Sequence, residues 1–98
     1  MRIISFNANG LRSAATKGFF QWLQGQDADV VCVQETKAQE HQLRVEALLP
    51  AGYTAHFRDA TTKKGYSGVG IYSRQAPDEV RTALGWAPFD EEGRYLEA

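Results

Sequence analysis

Val30-Val31-Cys32-Val33-Gln34-Glu35-Thr36-Lys37 is the stretch on which the fold turns. Its first four residues form an unbroken apolar run that reads as a central strand buried on both faces. Polarity switches at Gln34, so Glu35 falls at the carboxyl end of that strand, where layered folds collect their ligands. Upstream, Ile3-Ile4-Ser5-Phe6 reads as a short strand that stops at the turn Asn7-Ala8-Asn9-Gly10. Between the two strands a helix is predicted from about Ser13 to Gln24. Ser13 or Thr16 caps it, Phe19, Phe20 and Leu23 fall at helical spacing, and Gly25 stops it. Downstream, a weaker helix covers about Gln39 to Leu49, with Leu43, Ala47 and Leu48 on one side and Pro50 and Gly52 closing it.

Further along, Tyr53, Ala55 and Phe57 alternate with polar or small residues as a half-buried strand. Val69 to Ser73 is another strand, with Gly68 and Gly70 allowing close backbone approach. Val80, Thr82 and Leu84 suggest one more, and Asp90-Glu91-Glu92-Gly93 is a turn before Arg94-Tyr95-Leu96-Glu97. The chain is expected to stop inside that last strand, leaving a sheet edge in need of a partner. Strands that alternate with helices early and follow one another later give an α/β or α+β layered fold.

Composition narrows the function classes. Ninety-eight residues allow one domain, and the longest apolar run, Val30 to Val33, is far short of the roughly 20 residues of a membrane helix. No membrane partner is expected. The single Cys32 has no disulfide partner in the chain, which favours a reducing compartment, the cytoplasm. Net charge is −1, but unevenly spread: residues 1–74 carry 9 basic and 6 acidic side chains, residues 75–98 carry 2 and 6. The first three-quarters therefore suit a polyanion.

Candidate chemistry gathers at the strand ends. Glu35 is a candidate metal or catalytic carboxylate, against the bland reading of a solvated loop charge. Asn7 and Asn9 stand after the first strand, where Asn9-Gly10 alone is an ordinary turn signal. If the strands at 3–6 and 30–33 lie side by side, Asn7 and Glu35 converge, and an amide beside a carboxylate suits the surroundings of a hard cation. Lys63-Lys64-Gly65-Tyr66-Ser67-Gly68 combines cations, an aromatic ring and glycines, the composition of a phosphate-contacting loop. Arg12 and Lys37 add positive charge just beyond the two strand ends. His41 and His56 lack metal-ligand spacing, and Trp22 and Trp86 read as packing.

Three blocks in order carry a resemblance: Ile4-Ser5-Phe6-Asn7-Ala8-Asn9-Gly10-Leu11-Arg12, Val33-Gln34-Glu35-Thr36-Lys37, and Lys64-Gly65-Tyr66-Ser67-Gly68-Val69-Gly70-Ile71-Tyr72-Ser73-Arg74. Together they resemble the exonuclease III family of abasic-site endonucleases, within the endonuclease/exonuclease/phosphatase superfamily. The resemblance continues through Glu92-Gly93-Arg94-Tyr95-Leu96-Glu97. It implies that residues 1–98 are the N-terminal part of a four-layer αββα sandwich, with the remainder of the sandwich absent. It also implies Glu35 as the ligand of Mg²⁺ or Mn²⁺, Asn7 as its hydrogen-bonding support and a catalytic residue with Glu35, and Arg12, Lys37 and Tyr66 near the DNA backbone, beside Lys63 and Lys64.

The implied activity is metal-dependent hydrolysis of DNA phosphodiesters in base-excision repair, on duplex DNA with an abasic site or a 3′ end. The family's tyrosine near the phosphate, Asp-x-Asn pair, further metal-side carboxylate and closing Asp-His come later in its pattern. This chain alone is therefore expected to have little or no activity. Two alternatives resemble the sequence as well: a superfamily phosphatase, which would share Asn7 and Glu35, and a non-catalytic regulator like the catabolite repression control proteins.

Overall fold

The computed structural model describes residues 1–61, 63–83, 85 and 90–98. Its elements are β1 (Ile3–Asn7), α1 (Leu11–Thr16), α2 (Phe19–Gln24), β2 (Val30–Gln34), α3 (Glu40–Leu43), a 3-10 turn (Glu46–Leu48), β3 (Thr54–Arg58) and β4 (Val69–Ser73). The four strands make one mixed sheet in the order β1-β2-β4-β3. β1 runs parallel to β2, which requires the crossover that α1 and α2 supply. β4 is antiparallel to both of its neighbours.

Register places Ile4, Val31, Tyr72 and Ala55 in one cross-strand row and Phe6, Val33, Gly70 and Phe57 in the next. Side chains alternate across a strand, so both rows share a face. Leu11, Phe19, Phe20, Leu23, Leu43 and Leu48 pack against that face to form the core. Gly70 is small because the Phe57 ring lies across it: an added β-carbon would sit 2.9 Å from Phe57 Cδ1. Tyr72 is fully buried, meets Phe20 and Phe57 edge-on, and donates its hydroxyl to the Leu48 carbonyl at 2.8 Å. Among the described residues the architecture is thus mixed α/β, one four-stranded mixed sheet with α1, α2 and the segment 40–48 packed on one face.

Several predicted elements differ. The helix expected over 13–24 is two helices broken at Lys17-Gly18, where Gly18 has φ +94°. The break lets Phe19 stack on Phe6 with ring centroids 4.5 Å apart. Neither Ser13 nor Thr16 is an N-cap: α1 starts after Gly10 with no side-chain cap, and Thr16 Oγ1 instead donates to the Arg12 carbonyl at 3.1 Å. Gly25 does close α2. The second helix shrinks to α3, entered through a reciprocal Gln39–Gln42 capping box, and the separate 3-10 turn.

β2 is central in the sheet but buried on one face only. Val31 and Val33 are covered, while Val30, Cys32 and Gln34 are partly exposed on the opposite face. Of the strands expected at 80–84 and 94–97, the described residues form one isolated bridge, Arg81 with Glu97, closed by two hydrogen bonds of 2.8 Å. Leu84 and Trp86 lie outside the described residues.

Candidate active site

β1 and β2 end side by side, and the backbone pairing continues past the strands. On one side Ala8, Gly10 and Leu11 donate to the carbonyls of Gln34, Glu35 and Thr36 at 2.9, 2.8 and 3.0 Å. On the other, Thr36 and Lys37 donate to the carbonyls of Gly68 and Ser67 at 3.1 and 2.8 Å. Glu35-Thr36-Lys37 is thereby clamped between two loops. Among the described residues, four of the five non-glycine residues with positive φ sit in this cluster: Asn9 at 45°, Glu35 at 54°, Lys37 at 52° and Ser67 at 53°. Such conformations persist only where the surroundings impose them, and they gather at functional sites. Thr36, 1% exposed, is the plug of the clamp.

The side chains that emerge from this backbone hold one another. Asn7 Nδ2 donates to Glu35 Oε2 at 2.6 Å, and Asn7 Oδ1 accepts the Asn9 backbone N–H at 3.0 Å, which fixes the amide's orientation. Lys37 Nζ donates to Asn9 Oδ1 at 2.5 Å and stands 3.6 Å from Glu35 Oε1. Arg12 Nη2 reaches the Lys37 carbonyl at 3.4 Å. The Asn7 hydrogen bond, partly opposed by desolvation and assisted by the charges of Lys37 and Arg94, holds the Glu35 carboxyl below the usual carboxylate range. Glu35 is therefore an anion at neutral pH.

A cation would find one carboxylate here, 42% exposed, beside an amide oxygen. Among the described residues no three His, Cys, Asp or Glu side chains converge. That donor set does not fit a closed cage. It does fit Mg²⁺ or Mn²⁺ held by one carboxylate with the remaining positions left to water and phosphate oxygens.

The loop at 63–68 joins the site through the segment 90–94. Tyr66 donates its hydroxyl to Glu92 Oε1 at 2.7 Å, and Arg94 Nη2 donates to the same hydroxyl at 2.6 Å. Lys63 Nζ and the Arg94 guanidinium lie 4.8 and 5.4 Å from the Tyr66 ring centroid, both within cation–π range. Segment 90–94 is tied down along its length. Arg58 Nη2 donates to the Asp90 carbonyl, Thr61 N to the Glu91 carbonyl and Ser67 Oγ to the Gly93 carbonyl. Gly93 is needed there because a β-carbon would overlap the Asp59–Ala60 backbone.

The structure thus brings together Asn7, Glu35, Lys37 and Arg12, with Tyr66 and Lys63 alongside through Arg94. Lys64 is exposed and tied to none of them. Arg74 lies at the far end of the sheet, paired with Asp27 at 2.7 Å and Asp29 at 3.8 Å. Asn9 stands among the sequence candidates only as a turn residue at the strand end, and Glu92 and Arg94 carry no sequence-derived role. Asn9-Gly10 has the signature of any turn, and nothing local to Glu92-Gly93-Arg94 signals a partner 26 to 28 residues upstream.

Comparison with known proteins agrees with this geometry. Residues 4–97 match the Endonuclease/Exonuclease/phosphatase family. The chain is 40% identical over 97 residues to an exodeoxyribonuclease of Bacillus subtilis, covering 98% of this chain and 37% of that protein. It is 35% identical over 96 residues to a DNA-(apurinic or apyrimidinic site) endonuclease of Dictyostelium discoideum, covering 98% of this chain and 26% of the other. It therefore spans about a third of the length of these relatives. An AP endonuclease structure from Archaeoglobus fulgidus superposes at a TM-score of 0.78 with 32% identity, over 94% of this chain and 35% of that one. With strand order, strand-end carboxylate and family match in agreement, this chain belongs to the endonuclease/exonuclease/phosphatase family.

Proposed function

We propose that this chain serves a Mg²⁺- or Mn²⁺-dependent DNA nuclease of base-excision repair, one that hydrolyses duplex DNA at abasic sites and 3′ ends. The observation that carries the reading is the 2.6 Å hydrogen bond from Asn7 to Glu35, set at a clamped strand end among Lys37, Arg12 and Arg94. One carboxylate amid cations suits a phosphodiester, whose own oxygens complete a cation's shell. The relatives named above as exodeoxyribonuclease and as apurinic or apyrimidinic site endonuclease support the same substrate.

In this reading Glu35 holds the cation, whose charge supplies Lewis-acid stabilisation at the phosphoryl oxygen. Asn7 holds the carboxylate in one orientation. Asn9 holds the Lys37 ammonium over the same site, where it faces the phosphate as a fixed donor. Arg12 and Lys63 extend the positive surface along the backbone. Among the residues gathered at the site none is free to take a proton from the attacking water: Lys37, Arg12 and Arg94 are donors, Glu35 is committed to the cation, and Glu92 is engaged by Tyr66 and Arg94. The 98-residue chain is accordingly proposed to bind cation and phosphate without turnover.

Two measurements test this. Mn²⁺ titrated into ¹⁵N-labelled chain is expected to broaden the resonances of Asn7, Asn9 and Glu35, and Glu35→Ala to abolish the effect; broadening elsewhere, or none, would sink the metal assignment. Incision of a duplex bearing one abasic site, with Mg²⁺, with chelator and with Glu35→Ala, is expected to yield no product. Cleavage that needs both Mg²⁺ and Glu35 would overturn the claim of inactivity.

A further inference from the structure

Tyr66 is the obvious member of its loop to touch a phosphate, yet its hydrogen-bonding capacity argues otherwise. A phenol has one proton. Glu92, as a carboxylate, can only accept, and Arg94, as a guanidinium, can only donate, so the direction of both bonds is forced. The single Tyr66 proton is committed to Glu92 Oε1 at 2.7 Å, and the oxygen already receives Arg94 Nη2 at 2.6 Å. A phosphodiester oxygen, an acceptor only, finds no free donor on the Tyr66 hydroxyl.

Arg94 is the opposite case. One of its five N–H groups goes to Tyr66, its side chain is 48% exposed, and Glu92 lies 3.6 Å from Nε. The backbone pairing of Lys37 with Ser67 sets the Tyr66 loop, and with it Arg94, next to the strand end that carries Glu35. Lys63 shares the Tyr66 ring with it, so two cations flank the ring whose hydroxyl is bonded to Glu92.

We propose that Arg94 is the phosphodiester-contacting residue of this loop, and that Tyr66 and Glu92 are positioning residues that hold its guanidinium over the Tyr66 ring. The assignment deepens the nuclease reading and rests on its claim that the site faces a DNA backbone. In this arrangement the Tyr66 ring matters as a platform and its hydroxyl as a tether. Glu92 fixes the tether without cancelling both cations.

The test uses the 98-residue chain and a fluorescein-labelled duplex, with anisotropy followed over a salt series. Arg94→Gln is expected to weaken binding several-fold and to reduce the log–log salt slope by about 0.9, the loss of one phosphate contact. Tyr66→Phe, which keeps the platform, is expected to weaken binding less than about 2-fold with an unchanged slope, since no phosphate neutralisation is removed. Tyr66→Leu removes the platform and is expected to weaken binding as Arg94→Gln does. An unchanged slope in Arg94→Gln, or Tyr66→Phe as damaging as Arg94→Gln, would overturn the proposal.

A second measurement needs no variant. Dimethyl phosphate, a lone phosphodiester, is titrated into the labelled chain while the Arg94 side-chain N–H and Glu92 carboxyl resonances are followed. Movement of the Arg94 signals with Glu92 stationary supports the assignment. Movement of Glu92 reports that Tyr66 has released its proton to the ligand, and overturns it, as does a stationary Arg94. If the duplex does not bind at all, the DNA-facing reading fails, and the dimethyl phosphate result still decides between Arg94 and Tyr66.

Discussion

A β-carbon at Gly68 would overlap Thr36 Oγ1, and the residue's φ of +88° disfavours any other side chain. Gly68→Ala therefore strains the backbone and pushes the buried Thr36 out of the clamp. We expect a loss of about 2–4 kcal/mol in urea unfolding, with a weaker Mn²⁺ response at Glu35. A stability change under about 1 kcal/mol would mean that the clamp yields at low cost. Glu35 offers a second test. Its carboxyl is lowered chiefly by Asn7, so cation binding persists as pH falls below the usual carboxylate range and is lost through the lowered value. Asn7→Ala moves that loss to higher pH, which a carboxyl ¹³C titration reads; an unchanged titration refutes the assignment. At this scale Glu35 was legible because the polarity switch after Val33 is abrupt. The position of Asn9 was legible but its role was not, since its bond to Lys37 depends on a φ of 45° and on a strand 28 residues away.

Among the elements, β4 holds the sheet together through Tyr72, which packs on α2, on β3 and on the 3-10 turn. Tyr72→Phe removes only the bond to Leu48 and is expected to cost about 1 kcal/mol. Tyr72→Ala opens a cavity and is expected to cost about 3–5 kcal/mol. Burial pushes the Tyr72 hydroxyl well above its ordinary value, so the folded chain keeps a proton that the unfolded chain gives up near pH 10. Stability should fall as pH rises above about 10, and Tyr72→Phe should flatten that fall relative to wild type; parallel alkaline profiles would contradict this. The strands 3–6, 53–57 and 69–73 were legible within a residue, the first from its β-branched and aromatic run before a turn, the second from alternation. The helix over 13–24 was overdrawn because Phe19, Phe20 and Leu23 keep helical spacing through α2 and hide the left-handed Gly18 before it.

Across the whole molecule, charge is distributed by the two ends of the sheet rather than by position in the chain. Arg74 pairs with Asp27 and Asp29 at one end, while Arg12, Lys37, Lys63 and Lys64 stand at or beside the end that carries Glu35, where the acidic segment 90–92 also docks. These four as phosphate contacts predict a log–log salt slope of about −3 to −4 for duplex binding, steeper by about 0.9 with Arg94 as a fifth; a flat response in a chain that does bind DNA would refute the assignment. The layered class was legible from the order of elements. The segment 90–94 was not, because its place is set by tertiary contacts with residues 58–67 that no local pattern records.

The clamp on Glu35-Thr36-Lys37 also bears on how such a chain can diversify. Loops at strand ends usually lengthen and shorten freely, but this one shares hydrogen bonds with a neighbour on each side. Inserting or deleting a single residue would throw both ladders out of step and turn Glu35 away from Asn7. New substrate preferences must therefore arise elsewhere. Residues 63–65, all exposed, are where length variation can accumulate while the carboxylate keeps its place.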